Sequence, residues 1–187
     1  MNLIEDYFSK HIEIAKKIDF ESMKSAVNLI INTFNNGNNV FTCGNGGSAH
    51  TASHFITDWV KMAETMTGKK LNGYSLNDNI GMITAFANDY NYDEIFVGQL
   101  KSYLRENDLV VAVSGSGNSR NVVKAIDYAN KMKANTLAIV GYDGGVLKKT
   151  AKQNFHVPSF DMQICEDIHL KFGHVVMKQI CNIEIID

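Results

Sequence analysis

The chain has 187 residues, 45% of them hydrophobic, enough apolar material for one substantial core and short of the length at which chains usually divide. Charged residues make up 20% and the formal net charge is -2, so there is no basic surplus to neutralise a nucleic-acid backbone and no polybasic run for an anionic membrane surface. No stretch approaches the roughly 18 apolar residues of a membrane span. The opening MNLIEDYFSK carries acidic residues and no apolar run of signal-peptide length, so a cytoplasmic protein without a nucleic-acid or membrane partner is expected. Cys43, Cys165 and Cys181 lack CxxC spacing and are too few for a disulfide framework, which reads as buried free thiols in a reducing compartment.

In chain order, Leu3, Ile4, Tyr7, Phe8, His11, Ile14 and Ala15 fall at helical spacing over residues 3–18, and Met23, Val27, Ile30, Ile31 and Phe34 repeat the pattern over 20–34. A pair of amphipathic helices is therefore expected over 1–36, ahead of an α/β core over 37–187, within a single domain. Asn35 to Asn39 stop the second helix, and Val40–Cys43 reads as a short buried strand. Further strands are expected at Tyr74–Leu76, Leu109–Val113, Leu137–Val140 and Asn154–Val157. Helices are expected at Ser48–Met62, Ile80–Ala87, Asp93–Leu104, Ser119–Met132 and Met162–Cys181. This alternation predicts a parallel sheet covered by helices on both faces, a three-layer α/β sandwich.

Two of these strands run into loops of glycine and small hydroxyl residues that open helices: Cys43-Gly44-Asn45-Gly46-Gly47-Ser48 and Ser114-Gly115-Ser116-Gly117-Asn118-Ser119. At the carboxyl ends of parallel strands, exposed N–H groups and helix dipoles favour an anion, so both loops sit where a phosphate would. Neither has a following GK[ST] or the dinucleotide fingerprint, which suits a monoester phosphate better than a nucleotide. Taken singly, each is equally an ordinary glycine turn with Ser48 or Ser119 as an N-cap. Asn88-Asp89, and Asp143 after the Leu137 strand, fit sugar-hydroxyl contacts as well as plain turns. His50, His54 and Asp58 are spaced four apart on one helical face, and Glu166 and His174 lie eight apart on the last helix. Flanking Phe55, Ile56, Trp59, Phe172 and Val176 argue against a merely solvated face. Moving a proton between adjacent sugar carbons needs a base and an acid near neutral pH, which Asp58 and His174 supply.

Taken together, Cys43 to Ser48, His54-Phe55, Asn88-Asp89, Ser114 to Ser119, Asp143-Gly144-Gly145, Val157-Pro158 and Ile168-His169 with His174 resemble the phosphoheptose isomerases of the sugar-isomerase (SIS) superfamily over nearly the whole chain. The resemblance implies a flavodoxin-like SIS domain with a five-stranded parallel sheet, N-terminal helices that assemble a homotetramer, and active sites shared between subunits. It implies that Asn45, Gly46, Gly47, Ser48, Asn88, Asp89, Ser114, Gly115, Ser116, Ser119 and Glu166 hold a phosphorylated sugar. It further implies a zinc ion (Zn2+) in each subunit on His54, Asp58, Glu166 and His174. The activity implied is interconversion of sedoheptulose 7-phosphate and D-glycero-D-manno-heptose 7-phosphate through an enediol. The chain departs from the family in having Asp58 for Glu, Glu166 for Gln and Gly115 for Thr. Two rival readings share the fold: an isomerase of another phosphosugar, and a non-catalytic SIS protein that binds a phosphosugar or assists assembly of a protein complex. Asp58 and His174 together favour an enzyme.

Overall fold

The computed structural model describes residues 2–185. Asn2 caps α1 (Leu3–Ala15) by accepting from the Ile4 N–H, and Asp19 caps α2 (Phe20–Asn35) through the Glu21 and Ser22 N–H groups. Because Asp19 starts a new helix, α1 ends at Ala15 and not at residue 18. Its inner face turns His11 and Ile14 into the protein, and the Tyr7 hydroxyl donates to Asp167 Oδ2 at 2.6 Å. Its outer face leaves Leu3, Ile4, Phe8 and Ile12 exposed.

Five strands, β1 (Val40–Gly44), β2 (Gly73–Ser75), β3 (Leu109–Ser114), β4 (Asn135–Val140) and β5 (Gln153–His156), form one all-parallel sheet in the order β2-β1-β3-β4-β5. Both faces are buried, so the central strands read as unbroken apolar runs, and alternate residues serve opposite layers. Val111, Val113, Leu137 and Ile139 pack with α2, α3 (Gly47–Thr67) and α8 (Met162–Cys181) in a core that contains Phe55, Trp59 and Phe172. Val110, Ala112, Ala138 and Val140 face α5 (Val97–Tyr103), α6 (Arg120–Lys131) and α7 (Gly145–Thr150) around Phe96, Leu100 and Ile126. The three-layer expectation and the five-stranded parallel sheet hold.

Besides the end of α1 and shifts of one or two residues in the strands, the helices depart from the expected ones at four places. Helix α3 runs on to Thr67, where Gly68 adopts the left-handed conformation (φ 68°) and ends it. The expected helix over Asp93–Leu104 divides into a 3-10 turn, Tyr92–Glu94, opened by the Asn91 side chain, and the short α5. The Asn88-Asp89 pair forms the last turn of α4 (Ile80–Asp89) and does not follow it. Helix α7 was not expected from the pattern, because six residues are too few to establish a helical period.

Candidate active site

The strand order places β1 beside β3 while the chain leaves them in opposite directions, so the loops after these two strands open a crevice at the carboxyl edge of the sheet. Asn45, Ser48, Ser114, Gly115, Ser116 and Ser119 line one cleft of about 180 Å³ there, together with Tyr142, Met162 and Glu166. Gly46 and Gly47 form the turn into α3 beside it. Among the described residues no Lys, Arg or His lines this cleft. Its anion-binding capacity therefore rests on hydroxyls, amides and helix termini.

The two helix ends are not equivalent. A Cβ on Gly47 would lie 2.6 Å from Glu166 Oε1 and 2.7 Å from Oε2, so the missing side chain lets the carboxylate rest on the first turn of α3. Glu166 thus lies beside that electropositive end, with no hydrogen bond to an α3 N–H among the described residues. At α6 the N-cap residue Ser119 makes no side-chain capping bond, although a cap was expected there, and the Arg120 and Asn121 N–H groups have no partner among the described residues. Nor does Ser48 cap α3, whose N-cap is Gly46. Of the two loops, Ser114 to Ser119 is the one whose helix end has no carboxylate resting on it. The Asn45 side chain exchanges amide hydrogen bonds of 2.9 Å with Asn121 in both directions, and its Oδ1 also accepts from the Tyr92 hydroxyl at 3.0 Å. That network ties the first loop to α6 and leaves Asn45 little capacity to hold a ligand through its side chain. Sequence spacing gave no sign of it, because Asn45, Tyr92 and Asn121 lie far apart in the chain.

From the cleft, α3 and α8 run side by side in the same direction. They approach closely because residue 173 is glycine: a Cβ there would overlap the buried Phe55 ring, which stacks on Trp59 with centroids 4.9 Å apart. The Trp59 indole N–H donates to the Gly173 carbonyl at 2.9 Å and fixes the register. The result sets His174 against the α3 stripe. His54 Nε2 lies 3.2 Å from His174 Nε2 and 3.2 Å from Asp58 Oδ2, and His174 Nε2 lies 3.9 Å from the same oxygen. Two Nε2 atoms this close cannot both carry protons, so one ring donates to the other or both face a shared cation. A tetrahedral zinc site with bonds of about 2.0–2.1 Å spaces its ligand atoms by about 3.3–3.4 Å, so these three residues fit a three-ligand site with an open fourth position. The shorter Asp58 still reaches His54.

Three groups of residues singled out in the sequence lie apart from this cluster or from the cleft. Glu166 is not in the metal-competent group, which comprises His54, Asp58 and His174; eight residues of helix separate it from His174 by about 12 Å along the axis. His50 shares the stripe's face, but its Nδ1 turns back to the Gly46 carbonyl at 3.1 Å. Asn88 and Asp89 are exposed, bond to each other at 2.9 Å and do not line the cleft.

Burial pushes the His169 imidazole down to about 4; the nearby His156 adds to the effect, while the Val140 carbonyl opposes it. His169 is a neutral core residue with neither ring nitrogen hydrogen-bonded. All three cysteines are free and buried. A larger groove of about 820 Å³ lies along the β2 edge beside Tyr74, Gln99 and Tyr103, but it contains neither the serine loop nor the acid–base cluster. No helix among the described residues is long and apolar enough to cross a membrane.

The SIS domain family matches residues 6–141. A phosphoheptose isomerase of Helicobacter pylori is 36% identical over 178 residues, covering 94% of this chain and 92% of its own. One from Aliarcobacter butzleri is 33% identical over 182 residues, 96% of each chain. The solved structure of phosphoheptose isomerase GmhA from Neisseria gonorrhoeae superposes with a TM-score of 0.88 at 29% identity, covering 96% of this chain and 97% of that one. With the serine loop, the cleft and the His54–Asp58–His174 cluster held in the same SIS fold from end to end, the chain belongs to the phosphoheptose isomerase family of SIS-domain proteins.

Proposed function

We propose that the chain is an aldose–ketose isomerase that converts sedoheptulose 7-phosphate to D-glycero-D-manno-heptose 7-phosphate by proton transfer through an enediol. The observation that carries this reading is the separation of a cation-free phosphate seat from an acid–base cluster along one helix pair. Six residues of α3, from Ser48 in the cleft to His54 in the cluster, span about 9 Å. An extended seven-carbon chain also spans about 9 Å from C1 to its ester oxygen, seven bonds at roughly 1.25 Å each, and a six-carbon chain about 1.25 Å less.

In this reading the phosphate sits on the open end of α6 and on Ser114, Ser116 and Ser119, with Ser48 at the cleft's far side. Glu166 accepts from sugar hydroxyls, and Asn88 and Asp89 approach only if α4 closes on the bound sugar. Asp58 removes the proton from the carbon beside the carbonyl and returns it to the neighbouring carbon, while His174 donates to and withdraws from the carbonyl oxygen. His54 orients both. Zinc, if held by His54, Asp58 and His174, would polarise the substrate oxygen in place of the proton from His174.

The side chains of His54 and His174 are 44% and 46% exposed, and Leu3, Ile4, Phe8 and Ile12 leave an apolar stripe on α1. Both features suit a homotetramer in which a partner subunit covers the site. Tyr7 and Ile14, on the same helix, face inward instead. A cytoplasmic location completes the reading. The test is a panel of five-, six- and seven-carbon ketose phosphates followed by NMR. Preference for the seven-carbon substrate supports the assignment, a shorter sugar preferred revises the substrate, and turnover of none supports a non-catalytic binding protein.

A further inference from the structure

We propose that Tyr142 is a further substrate-binding and specificity-determining residue, its phenol hydroxyl serving as a phosphate donor in place of a cation; this rests on the phosphosugar reading above. Tyr142 lies two residues beyond β4 and lines the same cleft as the serine loop. Its backbone is left-handed, with φ 49°, a conformation that is strained for a bulky residue and persists only where the surroundings enforce it.

Those surroundings are specific. The Tyr142 N–H donates to the Ser159 carbonyl at 2.8 Å, and its own carbonyl accepts from His156 Nε2 at 2.9 Å. That bond makes Nδ1 the acceptor on His156, and Lys148 Nζ donates to it at 3.1 Å. The ring stacks on Phe160, with centroids 5.5 Å apart and planes 21° apart, while Phe160 itself stands 77% exposed beyond it. The backbone is therefore held and the ring is packed on one face by Phe160, yet the Tyr142 hydroxyl has no hydrogen-bond partner among the described residues.

The cleft gives that hydroxyl a use. A phosphate monoester entering it meets no cationic side chain and meets the Glu166 carboxylate, so neutral donors must carry the dianion. A phenol on the cleft wall supplies one. His156 and Lys148 are positioning residues for the tyrosine and do not reach the ligand themselves.

The test is Tyr142→Phe, which keeps the ring, the stack and both backbone bonds. Steady-state kinetics on the ketose phosphate are measured beside calorimetric affinities for inorganic phosphate and for the unphosphorylated ketose. The expected result is a KM about tenfold higher with kcat within twofold, a similar loss of phosphate affinity, unchanged affinity for the unphosphorylated sugar and an unchanged melting temperature. Unchanged KM and phosphate affinity would overturn the proposal, as would an equal loss for the unphosphorylated sugar. If the wild-type protein turns over no ketose phosphate, the isomerase reading fails, while the phosphate affinities of the two proteins still decide the role of Tyr142.

Discussion

Replacing Gly173 with alanine tests whether the α3–α8 spacing sets the catalytic geometry. At an open interior helical position this change stabilises by about 1 kcal/mol, because alanine is the better helix former. Here the new methyl overlaps Phe55 Cε1 and Cδ1, well inside the 3.0 Å at which something must shift. Phe55 has nowhere to go: it is fully buried, stacked on Trp59 and packed near Phe172. Restoring ordinary contact moves the two helices apart by about 1 Å, and overpacking of this kind costs about 1–3 kcal/mol. The net expectation is a loss of up to about 2 kcal/mol in urea denaturation. The same shift opens the 3.2 Å His54–His174 contact, and a displacement of about 1 Å at reacting groups lowers kcat about a hundredfold. The KM should change little, because the serine loop lies about two helical turns away. A variant stabilised by about 1 kcal/mol with wild-type kcat would refute the argument.

Four further expectations follow from the site. Asp58→Asn and His174→Gln should each lower kcat by at least about a hundredfold with phosphate affinity intact, read by steady-state kinetics beside phosphate calorimetry. Elemental analysis of protein purified without chelator should find near-stoichiometric zinc or a similar divalent ion in the wild type and little in His54→Ala, whereas Glu166→Ala should retain it. Ser116→Ala and Ser119→Ala should each weaken phosphate binding by about 1–3 kcal/mol in calorimetry. Finally, the folded pKa of His169 near 4 lies below the unfolded 6.5, so between those values the unfolded chain binds a proton that the folded one does not. Stability from this residue is complete above pH 6.5 and is lost as pH falls through the window, by about 3 kcal/mol in all. Urea midpoints at pH 7, 6 and 5 should fall more steeply for the wild type than for His169→Leu.

Much of the fold is legible in the sequence because its signals are local. The apolar runs at Leu109 and Leu137 and the glycine-serine loops behind β1 and β3 each sit within a few residues, and alternation of strand and helix then dictates a parallel sheet with a crevice at the strand ends. The spacing of His54 and Asp58 is likewise a property of one helix. What stays hidden depends on contacts between distant segments. Nothing in the spacing of Glu166 and His174 says that one rests on Gly47 while the other meets His54. Gly173 reads as a weak point in a helix until Phe55 is placed against it. Tyr142 reads as a turn residue until Ser159, His156 and Phe160 close around it. The missed helix α7 is short for the same reason that hid it: its six residues are held by packing and not by a pattern of their own.

The most direct test of the acid–base assignment is solvent deuterium incorporation. Sedoheptulose 7-phosphate incubated with the protein in deuterated water should yield the aldose, with deuterium appearing by NMR at the carbon next to the carbonyl, and both product and label should fall at least about a hundredfold in Asp58→Asn. Aldose formed at the wild-type rate by the Asp58 variant would contradict proton transfer at the His54–Asp58–His174 cluster.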